Sequence, residues 1–134
     1  MATRYLLDSD ICIYAAKQRP PRLMRRLDAN MGRCALSVIS YGELCFGRAR
    51  SSRPVEAAGN LSALLETIQV LPLPASAAER YGELRAQLEQ VGRPIGGNDL
   101  WIAAHALSAE LVLITNNERE FARVPGLRVE NWTK

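Results

Sequence analysis

The sequence contains few of the side chains that usually carry covalent catalysis. It has one histidine, His105, and only two lysines in 134 residues. Its three cysteines are odd in number and form neither a C-x-x-C pair nor a disulfide pattern, so we expect small buried thiols in a reducing compartment. A thiol nucleophile would have to pair with that single histidine. These shortages argue against a cysteine nucleophile.

Long apolar runs are also missing. No stretch approaches the roughly 20 apolar residues that span a membrane. Near the start of the chain, Asp8 and Asp10 interrupt any apolar core of a signal peptide. The apolar fraction of 48% and aromatic fraction of 6% are typical of an ordinary α/β fold. We therefore expect a single domain over residues 1–134, in the cytoplasm and without membrane contact.

Positive charge comes almost entirely from arginine, which supplies fifteen of the seventeen cations in a chain of net charge +3. The planar guanidinium can make two parallel hydrogen bonds to a phosphate. Seven arginines could form a basic rim for RNA: Arg19, Arg22, Arg25, Arg26, Arg48, Arg50 and Arg53. Solvated helix faces explain the same residues equally well. Charge alone permits a nucleic-acid partner without requiring one.

Short apolar runs alternate with helical patterns along the chain. We predict strands at residues 5–8, 34–37, 69–73, 111–114 and 127–129, with helices between them. The prolines in 69–73 limit that strand to an edge or an end. Strands separated by helices favour right-handed crossovers and helices on both faces. The predicted fold is a three-layer α/β/α domain with a mainly parallel sheet of four or five strands.

Acids lie where we expect strands to give way to helices. Asp8 follows the first strand, Glu43 follows the second, and Asp99 opens a later helix. A further polar corner, Thr115-Asn116-Asn117, precedes Glu120. Such corners meet at one sheet edge, where carboxylates repel unless a cation lies between them. Magnesium or manganese takes one or two carboxylates, completes its shell with water and phosphate, and activates water.

Helix capping is the simpler explanation for each acid taken singly. Asp and Asn are favoured caps, and residues 40–43 and 117–120 both have capping-box spacing. Three of the four aspartates (8, 10 and 99) nevertheless fall at two corners, which favours a shared site. Asp10 is then a ligand, a partner of the ligands or a first-turn acid, and we favour the last two. We expect His105, Trp101 and Trp132 to pack rather than to act on a substrate.

Four segments together resemble one known family. They are LLDSDIC at 6–12, PIGGND at 94–99, LITNNEREF at 113–121 and VPGLRVENW at 124–132. This ordered set, spread over the whole chain, is similar to PIN-domain ribonucleases and specifically to VapC-type toxins of VapBC toxin–antitoxin systems. The resemblance implies a magnesium- or manganese-dependent endoribonuclease that cuts structured RNA, commonly tRNA. It also implies a homodimer and a cognate VapB-type antitoxin that blocks the site.

The resemblance carries site residues onto this chain. The family's first, second and third acids correspond to Asp8, Glu43 and Asp99, with Asp8 and Asp99 as metal ligands. Family members often carry a fourth acid at the corner that Asn117 occupies, and here Glu120 is the candidate to take its place. Four polar residues are expected to hold substrate or water: Ser9, Thr115, Asn116 and Asn117.

Two other functions fit parts of the sequence. Asp8-Ser9-Asp10 has the D-x-D spacing of a haloacid-dehalogenase-type phosphatase, whose mechanism also needs a downstream lysine. Lys17 and Lys134 are poorly placed for that task. A non-enzymatic module that binds RNA or protein would need the acids only as caps, and its melting temperature would not respond to magnesium or manganese.

Overall fold

The computed structural model describes residues 2–134, so Met1, the first residue of the predicted domain, lies outside it. This part of the chain forms five strands and seven helices, in the order β1 Tyr5–Leu7, α1 Ser9–Ala16, α2 Pro21–Ala29, β2 Cys34–Ser37, α3 Val38–Ala49, α4 Pro54–Leu65, β3 Gln69–Leu71, α5 Ala75–Gln90, α6 Gly97–Ser108, β4 Val112–Ile114, α7 Glu118–Phe121 and β5 Val129–Glu130. Within the described residues, none of these helices is both long and apolar enough to span a bilayer.

The five strands form one sheet in the order β3-β2-β1-β4-β5, and each neighbouring pair is parallel. The proline-flanked β3 lies at an edge, and the weaker β5 lies at the other. The predicted parallel α/β fold is therefore confirmed. From β1 the chain first adds strands on one side and then crosses to β4 on the other. Ligands of parallel α/β folds bind beyond the carboxyl ends of the strands at such a reversal.

Side-chain alternation along the strands separates two layers of helices. Leu6 and Leu113 pack among residues of α5, α6 and α7. Leu7 and Ile114, their chain neighbours, pack on the other face among residues of α1, α2 and α4. Successive residues of a strand point to opposite faces, so two short apolar strands supply both cores.

Most of the expected packing residues are buried. Trp132 is 1% exposed and meets Tyr5 edge-on, with ring centroids 4.8 Å apart. His105 is also buried. Trp101 is half-buried and stacks on Tyr81, with centroids 3.8 Å apart and planes 9° from parallel. Both tryptophans therefore use a ring contact with tyrosine.

The cysteines follow the expectation only in part. Cys12 and Cys34 are buried, whereas Cys45 is half-exposed on α3. Burial raises the pKa of the Cys34 thiol to about 11 and raises that of Cys12 as well. These two groups therefore stay protonated and pack as small apolar side chains.

The start of α3 corrects one capping prediction. The helix begins at Val38 because the Ser37 hydroxyl accepts the backbone N–H of Ile39 at 3.1 Å. The predicted box at residues 40–43 is wrong, since Ser40 is already inside the helix and Glu43 lies in its second turn. Glu43 therefore owes its position to the direction of α3 rather than to a strand corner.

The short helix α7 begins at the predicted capping box of residues 117–120, but the box itself does not form. Asn117 precedes the helix without a side-chain cap bond. Its amide instead donates to Oε2 of Glu120 at 2.8 Å. Four residues are too few for a periodic apolar pattern, so only the residue types at 117–120 indicated a helix here.

Candidate active site

Asp8 lies at the centre of the carboxyl edge of the sheet. It follows β1 directly, caps α1 in an extended conformation and is only 4% exposed. Its Oδ1 accepts the backbone N–H of Ser9 at 2.8 Å, and its Oδ2 accepts the hydroxyl of Thr115 at 2.7 Å. The second contact exists because β1 and β4 are neighbours with Leu7 beside Ile114, so the residues that follow them meet.

Thr115 connects Asp8 to the turn before α7. Its side chain is fully buried, and its hydroxyl also accepts the backbone N–H of Asn117 at 3.0 Å. The same oxygen therefore donates to a carboxylate and fixes the backbone of the next turn. Thr115 was expected to contact substrate, yet its hydroxyl is used inside the protein.

Glu43 reaches the same edge from α3. Its Oε1 accepts the hydroxyl of Ser9 at 2.6 Å, which joins the second turn of α3 to the first turn of α1. Ser9 is 9% exposed, so this predicted substrate contact is also a buried partner of an acid. Ser9 thus contacts both acids, since its backbone N–H donates to Asp8 and its hydroxyl donates to Glu43.

Asp99 and Glu120 form the other half of the site. Asp99 lies in the first turn of α6 and shares a hydrogen bond with the carboxyl group of Glu120. The backbone N–H of Gly96 donates to Oε1 of Glu120 at 3.0 Å. A Cβ at position 96 would lie 3.8 Å from Oε1 of Glu120 and 3.9 Å from Oδ2 of Asp99, so both acids flank this glycine.

The environment of Asp99 favours its protonated form. Burial raises its pKa to about 7, and the negative charges of Asp8, Glu120 and Glu43 act in the same direction. Hydrogen bonds from Gly96 and Asn117 keep the pKa of Glu120 below its usual range. Asp99 is therefore the harder of the two acids to ionise.

Burial also raises the pKa of Asp8, and the hydrogen bonds from Thr115 and Ser9 oppose that shift. The charges of Asp10 and Glu43 raise it further. Asp10 itself is exposed in the first turn of α1. Acids from several elements thus act on one another at a single edge of the sheet, as the sequence predicted.

These acids have no ion-pair partner in residues 2–134. The five ion pairs there all involve other carboxylates. The charge of Arg123 does lower the pKa of Glu120, but its guanidinium donates to the carbonyl of Pro94 at 2.9 Å. The negative charge of these acids is therefore not balanced by a salt bridge among the described residues.

An ion that keeps part of its water shell fits this donor set better than an ion enclosed entirely by protein ligands. No three Asp, Glu, His or Cys side chains among the described residues are arranged to hold a metal by themselves. Magnesium, however, keeps several waters and binds proteins through one or two carboxylates plus substrate oxygens. Asp8 and Asp99 supply that number, in a setting whose negative charge favours a divalent ion.

Of the two remaining predicted residues, Asn117 contacts an acid, whereas Asn116 contacts a tyrosine. The amide of Asn116 donates to the hydroxyl of Tyr14 at 2.9 Å. Asn116 and Asn117 are both half-buried, so they keep access to solvent. Sequence reasoning missed Tyr14 and the N–H of Gly96. Only the paired glycines before Asp99 hinted that backbone approaches closely there.

The predicted arginine rim is not continuous. Arg26 pairs with Glu130 at 3.3 Å, and Arg53 pairs with Glu56 at 3.4 Å. Arg50 differs from both, because it lines a wide groove together with Ser9 and Glu43. It is the member of the set that the structure brings beside the acids.

The phosphatase alternative gains no support from the lysines. Lys17 is exposed at the C-terminal end of α1, opposite to the end that Asp8 caps. Lys134 pairs with Glu118 at 2.8 Å. Neither ammonium group is positioned to steady a phosphate on Asp8.

Comparison with known proteins identifies the family of this chain. The PIN-domain family model matches residues 5–127. The tRNA(fMet)-specific endonuclease VapC of Shigella flexneri is 38% identical over 130 residues, which cover 97% of this chain and 98% of the relative. Ribonuclease VapC2 of Haemophilus influenzae is 39% identical over 129 residues, covering 96% and 98%.

Solved structures show the same fold. VapBC2 from Rickettsia felis, bound to a DNA fragment from its promoter, superimposes with a TM-score of 0.91 at 36% identity, over 98% of this chain and 99% of that one. DNA-bound VapBC from Salmonella typhimurium gives a TM-score of 0.93 at 36% identity, over 97% and 98%. The chain belongs to the PIN-domain family and, within it, to the VapC ribonucleases.

Proposed function

We propose that this protein is a magnesium- or manganese-dependent endoribonuclease toxin whose active site is formed by Asp8, Glu43, Asp99 and Glu120. One observation carries the proposal. Carboxylates from four separate elements meet at the β1/β4 edge with no ion-pair partner among the described residues. A protein gains nothing in stability from such repulsion, so it is best explained by a bound cation and a reaction.

Asp8 and Asp99 are the proposed metal ligands. When bound, the ion lowers the pKa of a coordinated water and neutralises charge that develops on the phosphate. Asp99 must first release its proton, whose pKa of about 7 places that step near neutral pH. Thr115 and Ser9 keep the Asp8 carboxylate oriented during this exchange.

Glu43 is proposed to accept a proton from the attacking water, and Glu120 is proposed to orient Asp99. Oε1 of Glu43 accepts from Ser9, and its Oε2 has no hydrogen bond from residues 2–134, so it is available as a proton acceptor. Glu120 is fixed by Gly96 and holds the hydrogen bond with Asp99. Water adds to phosphorus and gives up a proton to Glu43, one P–O ester bond breaks, and the departing oxygen takes up a proton from solvent water.

Substrate contacts are assigned to the polar groups with solvent access. We propose that Asn116, Asn117 and Arg50 bind RNA phosphates or water at the rim of the site. Ser9 and Thr115, in contrast, are proposed to position acids, because both hydroxyls already donate to carboxylates. Binding through phosphates should weaken steeply as salt rises.

The proposed substrate is tRNA, and the proposed partner is a VapB-type antitoxin. The Shigella relative is named as a tRNA(fMet)-specific endonuclease, and the solved neighbours are VapBC complexes. We further propose that the free chain is a homodimer and acts in the cytoplasm, where tRNA is found. Antitoxin bound over the acids would block the site.

RNA cleavage by matched variants tests the assignment. Wild type, Asp8→Asn and Asp99→Asn are incubated with total RNA and Mn²⁺, and new RNA ends are mapped by sequencing. Asp28→Asn is the control, because Asp28 is an exposed aspartate on α2. We expect cleavage by wild type and the control, and at least about 100-fold less by both site variants. Equal cleavage by all four proteins would refute the site.

A further inference from the structure

A cleft of about 270 Å³ lies between α5 and the segment that leads into α6. The residues that matter for its chemistry are Tyr81, Arg85, Glu89, Pro94, Ile95 and Gly97. We propose that this cleft is a subsite for one unpaired nucleobase of the RNA, next to the bond that is cut. The proposal rests on the ribonuclease function above and adds to it a determinant of sequence preference.

The cleft offers an aromatic surface that is already fixed in place. Tyr81 lines it, and its ring is stacked on Trp101 with centroids 3.8 Å apart and planes 9° from parallel. A ring held in this way loses little conformational freedom when a ligand packs against it. Unpaired RNA bases commonly stack on such side chains. Trp101, which we expected to be a packing residue, supports the Tyr81 ring from behind.

Arg85 and Glu89 give the cleft a polar edge. Nη1 of Arg85 donates to the hydroxyl of Tyr81 at 3.1 Å, and its Nε donates to Oε2 of Glu89 at 2.9 Å. The guanidinium keeps further N–H donors, and the carboxylate keeps an oxygen that can accept. One wall therefore presents a donor and an acceptor side by side, which matches the edge of a base.

The charge of this wall favours a base over a phosphate. The positive charge of Arg85 is balanced by Glu89, so the pair is neutral as a whole. A phosphate subsite would instead present an unbalanced cation. The dimensions also favour a planar ring, because an α-helix from a partner is about 10 Å across with its side chains.

The cleft adjoins the proposed active site. Its far wall includes Ile95 and Gly97, and the residue between them, Gly96, donates its N–H to Glu120. The same segment continues into the first turn of α6, which carries Asp99. A nucleotide whose phosphate lies at the acids can thus place a neighbouring base in the cleft.

The helix α5 itself supplies matched controls. Arg80 and Glu83 form a second ion pair on α5 at 3.6 Å, and neither residue lines the cleft. The test uses an RNA library with a randomised single-stranded loop, cut with Mn²⁺ and sequenced at the new ends. We expect wild type to prefer one base at one position beside the cut. Arg85→Gln and Glu89→Gln should weaken that preference at least about fivefold, whereas Arg80→Gln and Glu83→Gln should preserve it.

Tyr81 variants test stacking itself. Tyr81→Leu should raise KM by about 5- to 150-fold, the range expected for one stacked base, with Mn²⁺ affinity unchanged. Tyr81→Phe keeps the ring and should stay within a few-fold of wild type. Should Tyr81→Leu not fold, the exposed Arg85 and Glu89 variants decide the question, since their side chains are 59% and 57% exposed.

A binding assay separates this proposal from the nuclease proposal. Fluorescence anisotropy with labelled octaribonucleotides of A, C, G or U is measured in EDTA, so no cleavage is needed. Binding that depends on Tyr81 supports the subsite even if wild type cuts nothing. If the variants of Tyr81, Arg85 and Glu89 all cleave with the base preference and KM of wild type, the subsite proposal is wrong, although the nuclease proposal is still supported. If Tyr81→Leu has the mass of a monomer where wild type has that of a dimer, the cleft contacts a second copy of the chain. That result would also overturn the subsite proposal.

Discussion

The hydroxyl of Thr115 donates to Oδ2 of Asp8 at 2.7 Å, although 107 positions separate the two residues in the chain. The contact forms because β1 and β4 lie side by side in parallel, so the residues that follow them are neighbours. It sets the orientation of the carboxylate we regard as the first metal ligand. Partners of this kind usually matter almost as much as the ligand itself.

Replacing Thr115 by valine should therefore reduce both activity and stability. The change leaves Oδ2 of Asp8 and the N–H of Asn117 without their partner. We expect RNA cleavage to fall about 10- to 100-fold and the free energy of unfolding to fall by about 1–3 kcal/mol. Thr115→Ser keeps the hydroxyl and should restore most of both. Cleavage rates and urea unfolding measure the effects, and a fully active valine variant would contradict them.

Mn²⁺ binding should strengthen as pH rises towards neutrality. The ion binds the deprotonated carboxylate, and the pKa of Asp99 is about 7 without metal. Below that pH, affinity should fall about tenfold per pH unit, because one proton is displaced. Isothermal titration calorimetry between pH 5 and pH 8, in buffers that contain no phosphate, measures this Mn²⁺ affinity. An affinity independent of pH would mean that Asp99 is not a ligand.

The same group predicts a pH dependence of stability in the metal-free protein. The folded-state pKa of Asp99 lies above its unfolded value of about 4. Its stabilising contribution is therefore complete below about pH 4 and is lost as pH rises through about 7. The difference in unfolding free energy between wild type and Asp99→Asn measures this contribution together with the interaction of Asp99 with Glu120. A difference that stays flat over this window would count against the assigned pKa.

His105 should stabilise the protein by joining the two helices that carry Asp99 and Glu43. Its Nδ1 lies 2.8 Å from the Ser37 hydroxyl, which in turn caps α3. His105→Leu removes this bond and should cost about 1–3 kcal/mol of unfolding free energy. His105→Asn can keep a nitrogen near the same place and should lose less. Equal losses in the two variants would show that the bond contributes nothing.

How far sequence alone could lead differs from acid to acid. The positions of Asp8 and Asp99 at helix starts were predictable, because a short apolar run precedes Asp8 and a pair of glycines precedes Asp99. Burial of His105 was likewise predictable from its apolar helix. The parallel sheet followed from the alternation of strands and helices.

Other features depend on contacts that no local pattern encodes. The start of α3 was misplaced because Ser37 and Ser40 are equally good caps by residue type, and only the fold selects Ser37. The bond from Gly96 to Glu120 spans 24 positions and depends on how α7 returns to the start of α6. The ion pair of Arg26, a member of the predicted arginine rim, was unpredictable for a similar reason, since its partner Glu130 is far away in the sequence.

The central claim is that Asp8 and Asp99 share one divalent ion. Anomalous scattering from a crystal soaked in Mn²⁺ tests it most directly, because it locates the ion without reference to activity. We predict one strong peak between these two carboxylates, and its absence from an Asp8→Asn crystal treated in the same way. A well-soaked wild-type crystal with no peak there, or with its peak elsewhere on the protein, would contradict the account.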